Sequence, residues 1–264
     1  METITIAPTN HSTALLLLIL FETMKTVKSL AESHLHINPF RTKYSSLILT
    51  YLTAAVELST HVLTAGHCVA GIPESALKVV AGVIYLNDYN AVKRKVERVQ
   101  LHPHYVNRLV NSFTGEANDL LAPLNDIAIL TLDRAFEWGD HIGKMSLPTA
   151  TVEASNYTCS MCYFAGWGRT RVCKPPSMLL QFLVMEVLTA RECKKRHQLV
   201  RVHEFCAEDV FREGVAFAGD SGGPLVCDGE AVGVSTGTPG VPGAPIIFAS
   251  VYAYLEIINI ACEN

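Results

Sequence analysis

Gly219-Asp220-Ser221-Gly222-Gly223-Pro224 places a serine in a tight turn flanked by glycines. Such a turn projects the Ser221 hydroxyl and aims the backbone N–H groups of Gly219 and Ser221 into one small space. Two convergent donors suit the negative charge that develops on an oxygen when a serine attacks a carbonyl. A hydroxyl alone is a poor nucleophile, so Ser221 requires a base and a group that orients the base. Two further stretches offer them: Thr64-Ala65-Gly66-His67-Cys68 upstream, and Asn125-Asp126-Ile127-Ala128-Ile129-Leu130 between. The candidates are His67, Asp126 and Ser221, in that order along the chain. Asn118-Asp119-Leu120-Leu121 imitates the middle motif. Asp126 is preferred over Asp119 because the apolar run Ile127–Leu130 reads as a buried strand.

Composition sets bounds on the rest. A chain of 264 residues holds one or two domains and a sizeable core. Hydrophobic content of 49% with 17% charged residues argues against disorder. A net charge of −4 leaves no nucleic-acid footprint, and Lys93-Arg94-Lys95 reads as a solvated strand face. Eight cysteines suggest an oxidising compartment. Cys159-Ser160-Met161-Cys162 has no second pair where a zinc ion needs one, so neither metal nor cofactor is expected. The apolar run from Ala14 to Phe21 is too short to span a bilayer. It reads as the core of a secretory signal within a leader or pro-segment at 1–25, or else as a buried strand or helix turn. Asn156-Tyr157-Thr158 is a candidate glycan site on a secreted chain.

Short strands separated by turns fill the remainder. Ser46–Leu52, His61–Thr64, Lys78–Leu86, Val92–Leu101 and Ile127–Leu132 form one set. Tyr163–Gly166, Leu179–Leu188, Pro224–Cys227, Ala231–Ser235 and Ile246–Val251 form another. No βαβ alternation occurs, so an all-β barrel architecture is expected. Val251–Ala261 is apolar at helical spacing through Val251, Leu255 and Ile258, and reads as a C-terminal helix. Asn107 to Pro123 reads as an enlarged surface loop.

The three motifs, with Ala165-Gly166-Trp167-Gly168, stand in the order of the chymotrypsin-like serine proteases, and from about residue 39 onward the chain resembles that family. Phe217 ahead of Ala218-Gly219-Asp220-Ser221 resembles the granzyme and mast-cell chymase branch. That branch too lacks a disulfide beside the specificity pocket; here Phe217 stands in place of one cysteine, and 237–245 hold none. The resemblance implies two six-stranded antiparallel barrels in one domain at 26–264, with a boundary near 140 and a C-terminal helix. The first barrel would supply His67 and Asp126, and the second Ser221. It implies a secreted, monomeric serine endopeptidase acting on protein or peptide substrates and answering to serpin-type inhibitors. Asp220 would pair behind Ser221 with an amine freed by cleavage. The corresponding start lies near Thr26-Val27-Lys28-Ser29-Leu30, after Lys25, and lacks the family's flexible glycines.

Disulfides Cys162–Cys227 and Cys193–Cys206 are implied in the same way. The usual mate of Cys68 is replaced by Leu52, and Cys68, Cys159, Cys173 and Cys262 remain unassigned. Val215 would form the base of the primary pocket, Ser235-Thr236-Gly237 its wall, and Ile246 would make it shallow. Valine at the base excludes trypsin-like pairing with Arg or Lys and points to small or medium apolar residues before the cut bond. The alternative is a catalytically silent protease-fold protein that binds or regulates. An α/β-hydrolase is disfavoured, because it places Asp before His on a parallel sheet.

Overall fold

Two closed barrels organise the chain. The computed structural model describes residues 59–107, 123–152, 161–170, 174–196 and 200–263, together with the strand backbone of 14–18 and 51–56. The first barrel contains β1 (Ala14–Leu18), β2 (Tyr51–Val56), β3 (His61–Thr64), β4 (Leu77–Ala81), β5 (Val92–Leu101) and β6 (Ala128–Leu132), closed in the order β1-β2-β3-β6-β5-β4. The second contains β7 (Cys162–Gly166), β8 (Gln181–Val187), β9 (Glu204–Asp209), β10 (Pro224–Cys227), β11 (Glu230–Gly237) and β12 (Ile246–Ser250), closed as β10-β11-β12-β9-β8-β7. Closure leaves no free edge in either sheet.

One strand departs from the expected antiparallel plan. β1 lies between β2 and β4 and runs parallel to both. The backbone of Ala14–Leu18 is thus paired along both edges. The long connection from 18 to 51 makes a parallel pairing sterically feasible. Of the expected strand Ser46–Leu52, only its last two residues are described, at the start of β2; Asn107–Pro123 likewise lies mostly outside the described residues.

Two elements were not anticipated. β9, Glu-Phe-Cys-Ala-Glu-Asp, carries three acids and hides its strand character, yet Glu208 and Asp209 are only 4% and 6% exposed. Each has partners that make burial tolerable. Glu208 takes Arg196 on one oxygen and Arg212 at 3.1 Å on the other. Asp209 accepts the backbone N–H groups of Glu213 and Gly214 at 3.1 and 2.8 Å. The second is the short helix α1 (Ala190–Arg196). Thr189 and Glu192 form a capping box, each backbone N–H received by the other's side chain, at 3.2 and 3.3 Å.

Both implied disulfides are formed. Cys162–Cys227 crosses the β7–β10 pair, and Cys193–Cys206 ties α1 to β9. Inside the second barrel, Phe248 stacks on Phe205 at 5.7 Å and meets Phe164 edge-on at 5.5 Å. A Cβ at Gly233 would come within 2.7 Å of Phe205, so this core needs a residue without a side chain there. The C-terminal segment forms a 3-10 turn (Tyr252–Tyr254) and then α2 (Leu255–Glu263). Tyr254, Ile258 and Ala261 join one continuous core with Val62, Ile127 and Leu130 of the first barrel and Val226 and Val234 of the second. That shared core fixes the two barrels against each other, which sets where their loops meet.

Candidate active site

His67 sits in a 3-10 turn (Gly66–Cys68), three residues after β3 ends. Asp126 stands two residues before β6. β3 and β6 pair antiparallel with Thr64 opposite Ala128, so the residues just beyond that pair are brought face to face. Asp126 is 3% exposed and holds His67 twice. Its Oδ1 accepts the His67 backbone N–H at 2.7 Å, and its Oδ2 lies 2.6 Å from Nδ1. The first bond fixes the turn and the second fixes the ring, so Nε2 is the nitrogen that Asp126 does not hold. Asp119, the rival carboxylate, lies outside the described residues.

The corner carrying Asp126 has its own support, which sequence reading missed. Asn125 adopts φ 48°, a left-handed value that asparagine tolerates. Its amide donates to His104 O at 2.9 Å, and its Oδ1 receives the Tyr254 hydroxyl at 3.4 Å. The C-terminal segment therefore braces the corner that carries Asp126. Gly66 is required too: a Cβ there would lie 2.9 Å from the Tyr105 ring and 3.2 Å from Asp126 Oδ1.

Ser221 heads the turn before β10 and is partly exposed. Gly219 at φ 105° and Gly222 at φ 82° give the turn its shape, as expected from their lack of a side chain. Gly222 N–H donates to Ser235 O at 2.8 Å, and Ser235 N–H donates to Gly223 O at 2.9 Å, which fastens the turn to β11. The N–H groups of Gly219 and Ser221 donate to no group among the described residues. They are the pair the sequence singles out for an oxyanion.

Asp220 points the other way, into the protein, and is 8% exposed. It accepts Gly168 N–H at 2.8 Å and Phe217 N–H at 3.1 Å. Burial outweighs these donors and pushes its carboxyl up to about 6. Gly168 is irreplaceable in this packing, because a Cβ there would fall 2.3 Å from the Asp220 carboxyl. Neighbouring Trp167, 1% exposed, donates its indole N–H to Ile84 O at 3.0 Å and joins the two barrels. The motif Ala165–Gly168 thus acts as a seat for the serine turn.

His67 Nε2 touches one side chain among the described residues, Cys68 Sγ at 3.6 Å. It makes no hydrogen bond to Ser221 there. Burial lowers the imidazole's basicity, but charge at Cys68, the bonds to Asp126 and Cys68, and the Asp126 charge raise it further, to about 11.

The residues expected to line the primary pocket lie on and around β11 and β12 and in the segment before the serine turn. Val215 and Thr236 are half-buried, Ser235 is buried, and Gly237 lies at a bulge opposite Ile247. Both backbone groups of Ser235 already have partners within the fold, leaving its carbonyl one lone pair for an incoming chain. Ile246 is 2% exposed and packs in the second barrel's core with Ala216. Thr238, not anticipated, donates to Ala216 O at 3.3 Å and accepts Gly240 N–H at 3.1 Å. A cavity of about 760 Å³ lies beside α1 and β9, lined by Leu188, Lys194 and Phe205 among others, and shares no residue with this site.

Comparison with known proteins agrees with this geometry. The family model described as Trypsin matches residues 40–258. The chain belongs to the trypsin family. It is 31% identical over 201 residues to Chymotrypsin-2 of Vespa crabro, covering 75% of this chain and 84% of that one. It is 31% identical to Mast cell protease 3 of Ovis aries, covering 75% and 72%. With Chymase of Rattus norvegicus the identity is 29% over 261 residues, covering 94% and 96%. This trypsin-family chain is a serine-type endopeptidase. Among its described residues no helix is long and apolar enough to cross a membrane.

Proposed function

We propose that the chain hydrolyses peptide bonds in proteins through Ser221, His67 and Asp126, cutting after small or medium apolar residues. The observation that carries this reading is the double grip of Asp126 on His67, through the backbone N–H and Nδ1 at once. It leaves Nε2 as the proton acceptor. Ser221 Oγ attacks the scissile carbonyl carbon, and His67 takes the hydroxyl proton. Gly219 N–H and Ser221 N–H receive the oxyanion. The C–N bond breaks as His67 returns the proton to the leaving amine. Water then attacks the acyl-enzyme by the same route and frees Ser221. Asp126 keeps Nδ1 protonated and stabilises the imidazolium.

The apolar preference rests on Val215 at the base of the pocket and on Ile246, which occupies core volume beside Ala216. A protein-sized substrate would add an extended segment along β11 near Gly237. Two disulfides among the described residues support a setting outside the reducing cytosol.

The test is labelling of the full chain with a fluorophosphonate, which modifies an activated serine, alongside hydrolysis of a peptide library. Ser221→Ala should lose labelling and turnover entirely. Asp126→Asn should keep the fold and lose about four orders of magnitude in kcat. Undiminished labelling of Ser221→Ala would remove the serine from its role. Cleavage confined to bonds after Lys or Arg would refute the specificity.

A further inference from the structure

Cys68 follows the catalytic histidine directly, is 6% exposed and forms no disulfide. The family resemblance would pair it with a cysteine at position 52, where this chain has leucine. A bonded sulfur cannot turn toward the imidazole; a free thiol can. Here Cys68 Sγ lies 3.6 Å from His67 Nε2, within reach of a sulfur hydrogen bond.

We propose that Cys68 is a positioning residue for His67: in the resting chain its thiol holds the Nε2 edge and competes with Ser221 for it. The inference rests on the proposed triad. Asp126 fixes Nδ1, so the ring cannot swing away to satisfy both partners. With Nδ1 held by Asp126, Nε2 has room for one close partner. Sγ of Cys68 and Oγ of Ser221 cannot both hold it well. Ser221 gains the nitrogen only when the thiol yields.

The surrounding charges sharpen the contest. Around His67 stand Asp126 and Cys68, with Tyr105 packed on Gly66; Glu204 and Tyr254 face Asp126 from the second barrel and the C-terminal segment. Negative charge on Cys68 or Asp126 favours the imidazolium. Tyr105 and Tyr254, each pushed up to about 12 chiefly by burial, are neutral throughout the working range. Cys68 is therefore the group that separates this site from one with a bridged cysteine. An imidazolium is no base, so reactivity rises with pH as His67 deprotonates. Removing the thiol lowers the pH at which that happens.

The experiment compares the full chain with Cys68→Ala and Cys68→Ser. Two quantities are followed against pH: the rate of fluorophosphonate labelling and the NMR titration of the His67 ring. In Cys68→Ala the acid limb of labelling and the His67 titration should move together to lower pH by at least about one unit, a gain of about tenfold in rate on that limb. Cys68→Ser keeps a polar atom at the same place and should fall between the two. Superimposable His67 titrations in all three proteins would overturn the proposal. If Cys68→Ala fails to fold, the wild-type and Cys68→Ser titrations decide alone. If none of the proteins labels at any pH, the triad assignment fails, and the ring titration still decides the role of Cys68.

Discussion

The buried carboxyl of Asp220 gives the chain a stability that depends on pH in an unusual direction. Desolvation raises it from 3.8 to about 6 in the folded protein. Folded protein thus binds a proton between those values where unfolded protein does not. Stability is unaffected below the unfolded value and falls as pH rises through the window from about 4 to about 6. It stays lower above that window. At roughly 1.4 kcal/mol per unit the loss is about 3 kcal/mol. Gly168 N–H and Phe217 N–H offset part of the burial cost but not all of it. Asp220→Asn removes the ionisation while keeping a carbonyl for one of those donors. Urea unfolding of both proteins at a series of pH values reads the difference directly. The gap between them should change by about 3 kcal/mol across the window, in favour of the variant at high pH, and be flat on either side. Parallel profiles would refute the claim that the carboxyl lacks adequate compensation. A gap changing in the opposite direction would show a depressed carboxyl, held by a positive partner.

Two other perturbations test the packing. Gly168→Ala drives a methyl into the Asp220 carboxyl, at 2.3 Å, and should destabilise the chain by about 1–3 kcal/mol and displace the serine turn; normal melting together with normal fluorophosphonate labelling would contradict this. Ile246→Ala empties core volume beside Ala216 and should cost about 2–5 kcal/mol while admitting bulkier residues before the cut bond; an unchanged peptide-library profile would place Ile246 outside the pocket's reach.

Much of the site was legible because its chemistry is written in short local motifs. Gly219 and Gly222 declare a turn that only glycine adopts comfortably, and their positive φ values follow. Asp126 was preferred over Asp119 on the expectation of an apolar strand after it, and β6 is that strand. β9 was illegible for the opposite reason. Its acids looked solvated, and only Arg196, Arg212 and the backbone of Glu213 and Gly214 make their burial tolerable. The capping box of α1, Thr189 to Glu192, was a visible signal that went unread.

Sequence alone singled out His67, Asp126 and Ser221 as candidates, and it determined the β-rich barrels and the type of reaction. Those depend on residue type, on turn chemistry and on alternation along a few consecutive positions. Tertiary structure decided the parallel pairing of β1, the brace from Tyr254 to Asn125, and the contact of Cys68 with Nε2. Each joins distant parts of the chain or depends on which way a freed side chain turns, and is set by closed barrels and shared burial rather than by any local pattern.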